Sequence, residues 1–166
     1  MKPGRTGRID VSDNFLFRTA EAYLNLAEAA ACSGDESTAR TALNALRLKR
    51  MAHIGYISVE LSGSELVTFI RDERRRELCL EGHRWFDLRR YAVNSIHPLP
   101  DNFTIRHRNN AYEANSRTWY ENGYYELNAY TQDRAAWMIP IPNYAIEFNR
   151  GELQNEIRPN RELQRD

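Results

Sequence analysis

Apolar side chains recur at helical spacing through the first half of the chain and lose that spacing after about residue 97. Leu16, Thr19, Tyr23, Leu26 and Ala30 follow one another every three or four positions, which predicts an amphipathic helix over 14–32. Ala20, Ala27 and Ala31 form a small-residue flank that lets a neighbouring helix approach closely. Ser12, Asp13 or Asn14 can cap its start. Ser33-Gly34-Asp35 reads as a helix stop followed at once by a new N-cap. A second helix is predicted over 36–50, with Ala39, Ala42, Leu43 and Leu46 inward. So short a connection makes the two helices antiparallel neighbours.

A loop containing Gly55 follows. Ser62 and Glu65 fit a capping box that opens a third helix over 63–81. Leu66, Phe69, Ile70 and Leu80 share one face of it, and Glu73 and Glu77 fall on that same face. Carboxylates on an apolar face are unfavourable unless paired. At least one of the two is therefore expected to be mostly buried against an arginine, Arg47 or Arg50 on the second helix. Gly82 ends or kinks the third helix, and a short aromatic helix runs over 83–92, with Trp85 and Phe86 expected in the core.

Beyond His97-Pro98-Leu99-Pro100 the chain is rich in Asn, Tyr, Arg and Thr, and only 103–107 and 124–130 have strand character. Residues 101–135 therefore read as an irregular, partly β insert. In Trp137-Met138-Ile139-Pro140-Ile141-Pro142 two prolines at alternate positions forbid a helix interior, so the segment is extended. It is expected to fold back on the 82–91 junction, with Trp85 or Phe86 in the contact. Asn143 can cap a short helical turn through Ile146. The fold class is mainly α: a tetratricopeptide-like hairpin over 14–50, a helix and aromatic junction over 62–92, the insert over 101–135 and a closing segment over 137–159, the 166 residues making one domain or a piece of a larger one.

Charge and chemistry narrow the function. Lys plus Arg and Asp plus Glu both total 23, so net charge gives no argument for nucleic acid or a membrane surface. Cys32 and Cys79 are too few for a disulfide framework and read as free, buried thiols inside helices. No apolar run is long enough to span a bilayer, and the first residues carry no signal peptide. His53, His83, His97 and His107 are scattered, without the spacing of a zinc helix, so no metal or other cofactor is expected. His83 and Asp87 could form an acid–base pair, but a structural hydrogen bond at a helix junction explains them better. No nucleophile or phosphate-loop motif occurs. The chain is expected not to be an enzyme.

Three segments, in order, resemble the SusD/RagB family of outer-membrane nutrient-binding lipoproteins. The first is the hairpin FRTAEAYLNLAEAAACSGDESTARTALNALRLKR, which also resembles a tetratricopeptide unit. The second, ERRRELCLEGHRWFDLRRY, is similar to the family's most recognisable stretch. The third, WMIPIPNYAIEFNRGELQNEIRP, is similar to its closing segment, although Arg158-Pro159-Asn160 stands where the family usually has a Gly-Tyr pair. The resemblance covers 14–92 and 137–159, the C-terminal part of a typical member. It implies a lipid-anchored protein on the outer-membrane surface, which captures glycan or another nutrient for import with a TonB-dependent, SusC-like transporter. This chain lacks a recognisable signal peptide and anchor cysteine. The alternative is a tetratricopeptide-like scaffold that binds proteins.

Sugar rings bind on flat apolar faces bordered by polar groups, and the insert has that composition. Trp119, Tyr120, Tyr124 and Tyr125, with Asn115, Arg117 and Asn122 nearby, are the candidate ligand-binding residues, among further insert aromatics Tyr112 and Tyr130.

Overall fold

The computed structural model describes residues 18–51, 55–158 and 160–165. The candidate caps Ser12, Asp13 and Asn14, and also Leu16, His53 and Pro159, lie outside them. In chain order the elements are α1 (Thr19–Cys32), α2 (Glu36–Arg50), α3 (Gly63–Glu77), α4 (His83–Ala92), β1 (Ile105–Glu113), β2 (Thr118–Leu127), a 3-10 turn (Arg134–Trp137) and α5 (Asn143–Phe148). The class is mainly helical with one two-stranded sheet, as expected. The chain forms two compact units that divide between Arg84 and Trp85.

In the first unit α1 packs on both α2 and α3. Leu24, Leu43, Leu66 and Ile70 are fully buried at its centre. The inward face of α1 is only in part the expected one: Ala30 is buried, but Tyr23 and Leu26 are 40% and 50% exposed, and Ala20, Ala27 and Ala31 are buried with Leu24 instead. A helix apolar around most of its circumference has no unique phase. Here close approach to two neighbours selects the alanine side. The α1 end is a Schellman motif: Asp35 N–H donates to Ala30 O at 2.9 Å and Gly34 N–H to Ala31 O at 3.2 Å. Gly34 sits at φ 87, and the Asp35 carboxylate then caps α2 by accepting from Thr38 N–H at 3.1 Å.

Three expectations about α3 and its surroundings are corrected, and one of two candidate arginines is set aside. Ser62 makes no side-chain cap; instead Glu36, from the first turn of α2, accepts the Gly63 N–H at 2.7 Å. The helix stops at Glu77, and Leu80, with φ 64, is fully exposed rather than on the apolar face. Cys79 lies exposed in the same turn, and Cys32 is half-buried; neither forms a disulfide. Arg47 is buried but donates to the Ile57 carbonyl at 2.8 Å, stacked over the Phe69 ring at 5.2 Å, rather than to a glutamate.

The expected carboxylate–arginine pair is Glu77 with Arg50. The Glu77 side chain is 10% exposed, and Arg50 reaches it through Nε at 3.0 Å and Nη2 at 2.9 Å, while Arg18 binds it from the start of α1. These arginines, Arg50 foremost, hold the Glu77 carboxyl below its ordinary range against an opposing contribution from burial. Glu73 pairs within its own helix, with Arg76 at 2.7 Å. A second set of charges was not foreseen: buried Glu28 meets Arg71 at 3.1 Å, and buried Arg74 donates to Asn25 at 2.8 Å with Glu21 at 3.4 Å. His83 Nδ1 lies 3.7 Å from Glu21, and Asp87 bonds Arg90 at 3.0 Å.

The second unit is built around Trp137, which is 0% exposed. Its indole N–H donates to Asn128 O at 2.8 Å, Trp85 stacks on it at 5.3 Å and 18°, and Tyr130 meets it edge-on at 6.2 Å. The closing segment thus folds back on Trp85, as expected, with Leu88 and Tyr91 completing the cluster. Phe86 points elsewhere and is 58% exposed. Trp137 itself ends the 3-10 turn, so the extended stretch begins at Met138. Between Pro140 and Pro142 the one backbone N–H belongs to Ile141. Asn155 answers both its polar groups, accepting the N–H at 2.7 Å and donating to the carbonyl at 2.9 Å. Pro142, not Asn143, is the residue before α5.

Candidate ligand-binding face of the hairpin

The insert is more regular than its composition predicts. β1 and β2 form one antiparallel hairpin, longer than the two runs with strand character, closed by a turn over 114–117. Ile105 and Leu127 anchor its base against the aromatic cluster. The strands leave this core and present polar side chains on both faces, so no apolar alternation marks them.

The register determines which side chains meet. Tyr112 pairs with Trp119, Asn110 with Glu121, Arg108 with Tyr124 and Arg106 with Glu126, and Asn122 is the extra residue of a bulge. Pleating places alternate β1 residues on one face. Arg106, Arg108, Asn110 and Tyr112 therefore share a face with Trp119, Glu121, Tyr124 and Glu126. Tyr120 and Tyr125 lie on the opposite face with Ile105 and His107.

At the distal end of the first face Trp119 is 71% exposed. Its ring centroid lies 5.3 Å from that of Tyr112 with the planes at 53°, so the two form an open corner. Tyr124 sits nearer the base, and its row along β1 is four residues from that of Trp119, about 13 Å at ~3.3 Å per residue. The Arg106 guanidinium covers the Tyr124 ring at 4.3 Å, and Glu126 holds that guanidinium at 2.7 Å. Arg108, opposite Tyr124, reaches Glu121 in the next row outward at 3.6 Å. In the turn the Asn115 N–H donates to the Glu113 carboxylate at 3.1 Å, and Arg117 adopts φ 55.

The opposite face is different in kind. Tyr125 lines an open recess with His107, Ala136, Arg158 and Arg161. Arg161 is committed there to the Glu126 carbonyl at 2.6 Å and to the buried Asp133. Tyr120 borders a separate hollow beside Asn122, Gly123 and Arg165. The tail strengthens this side of β2: Tyr124 and Gln164 exchange both backbone hydrogen bonds at 2.9 Å. Gly123, at φ 124, lies under that contact, where a Cβ would come within 2.1 Å of the Gln164 carbonyl oxygen.

Of the candidate residues, then, Trp119 and Tyr124 share a face, Tyr120 and Tyr125 share the other, Asn115 and Arg117 stand in the turn, and Asn122 is the bulge. Tyr112, outside the candidate set, is the residue in ring contact with Trp119. Only the cross-strand register reveals it, and an alternation count without the bulge pairs the wrong residues. Among the described residues no group of three His, Cys, Asp or Glu side chains could hold a metal ion, and no helix is long and apolar enough to cross a membrane.

No curated protein and no solved structure matches the chain. A model of the SusD family matches residues 2–157. Proteins of that family are cell-surface nutrient-binding proteins. The match spans the hairpin α1–α2, the Arg-rich junction, the insert and the closing segment together, and on it the chain belongs to the SusD family.

Proposed function

We propose that this chain contributes a ligand-binding face to a lipid-anchored outer-membrane protein that captures glycan for import with a TonB-dependent transporter. The observation that carries the reading is the exposed Trp119 set at an angle to Tyr112. A pyranose ring offers a flat C–H face to such an indole, and Asn110 on the same face, the Tyr112 hydroxyl and Asn115 in the adjoining turn are the polar groups that would take its hydroxyls. Loops and hairpins projecting from a rigid body are where binding residues concentrate. A single stacking platform gives weak binding dominated by one residue.

The test is titration of the chain with a panel of oligosaccharides, followed by calorimetry and by the Trp119 indole N–H resonance. Binding that shifts this resonance and is lost in Trp119→Ala supports the reading. Binding that persists unchanged in a folded Trp119→Ala variant places the ligand elsewhere. A chain that binds no sugar but captures helical peptides instead would favour the protein scaffold.

A further inference from the structure

On the reading that the Trp119 face holds a glycan, we infer that this face selects uncharged sugars and stacks a single ring. The argument rests on how its charges are disposed. Along its two strands the face carries two arginines and two glutamates, with Arg117 apart in the turn, and each strand arginine lies against a glutamate of the same face: Arg106 with Glu126 at 2.7 Å, Arg108 with Glu121 at 3.6 Å. An acidic sugar, such as a uronic acid or a sulfated residue, needs a cation it can approach without facing an anion. A carboxylate on a ring at Trp119 meets Glu121, beside Arg108, one row inward, and a carboxylate on a sugar unit farther along the strands meets Glu126 beside Arg106; like-charge juxtaposition rejects a wrong partner. A neutral ring meets no such opposition.

The limit to one ring follows from Arg106. Its guanidinium lies over Tyr124 at 4.3 Å and is held in place by Glu126, whose side chain is mostly buried. The Tyr124 ring is therefore already stacked, by a cation from its own sheet. Trp119, with Tyr112 at its side, is left as the open platform of this face.

The experiment compares neutral oligosaccharides with uronic-acid oligosaccharides of equal length on the same chain, read by the Trp119 indole resonance. Wild type is expected to bind the neutral series at least tenfold more tightly. Glu121→Gln, an exposed change that leaves Arg108 without its carboxylate, is expected to narrow that ratio several-fold, and more at low ionic strength than at high. Equal or tighter binding of the acidic series by wild type overturns the inference and leaves glycan capture standing. A ratio that Glu121→Gln does not move overturns the assignment of selectivity to the paired charges. Failure of every sugar to perturb Trp119 overturns the binding reading and this inference together.

Discussion

Asn155 does for Ile141 what a neighbouring strand would do. Its carboxamide has the donor and acceptor of a peptide group, and it closes both hydrogen bonds of the residue that stands between two prolines. Asn155→Ala should lower stability by about 1–2 kcal/mol, since the pair is exposed to water, and urea unfolding will read it. Trp137 is a larger commitment. Trp137→Ala should lose about 3–5 kcal/mol, and Trp85→Ala less, because the Trp85 ring is only half-buried. Gly123→Ala should release the tail, because the added carbon meets the Gln164 carbonyl and the backbone has φ 124. Faster amide exchange at Tyr124 and Gln164 is the expected sign. At this scale the sequence was legible where a residue type has one use. Pro140 and Pro142 required an extended segment, and Gly34 a helix stop. It was illegible where the partner is remote: nothing local announces that Asn155 answers Ile141, or that Glu36 caps α3.

Along the elements, α1 and α3 are joined as much by charge as by apolar contact. Glu28 and Arg71, Arg74 with Asn25 and Glu21, and Glu77 with Arg18 form successive crossings, and Arg50 ties the same Glu77 carboxylate to α2. The α3 end of this strip was readable, because Glu73 and Glu77 stand out on an apolar face. The α1 end was hidden by a helix with two apolar sides, which disguises Glu28 as a surface residue. Removing one partner of a buried pair strands the other, so Arg74→Ala should cost about 3–5 kcal/mol, measured by thermal or urea unfolding. Glu77 also makes stability depend on pH. Its folded pKa lies below the ordinary 4.5, so the unfolded chain binds a proton first as pH falls. The Glu77 contribution is complete above about pH 4.5 and is lost as pH drops through the lower, folded value. Glu36, lowered by the Gly63 N–H and by Arg40, and Asp35, lowered by Thr38, act in the same sense. Unfolding midpoints measured from pH 6 downward should fall below about pH 4.5, with a shallower fall in Glu77→Gln.

For the molecule as a whole, the two units have separate cores, one of leucine, isoleucine and alanine between three helices and one of aromatics around Trp137. Amide exchange should therefore separate them. Leu43→Ala should raise exchange chiefly across 18–84, and Trp137→Ala chiefly across 85–165. The helical class was evident from periodicity, whereas the hairpin was not, since both of its faces meet water and only its base touches a core. The bulge at Asn122 has a larger consequence than its single residue suggests. Trp119 and Tyr124 are an odd number of positions apart, and unbroken alternation would set them on opposite sides of the sheet. Deleting one residue between them would turn the outer half of β2 over, and Trp119 would leave the side of Arg108 for that of Tyr125. The length of this strand thus sets which side Trp119 faces. Under the proposed reading, the gain or loss of one residue here exchanges one binding face for another while the remaining side chains stay as they are.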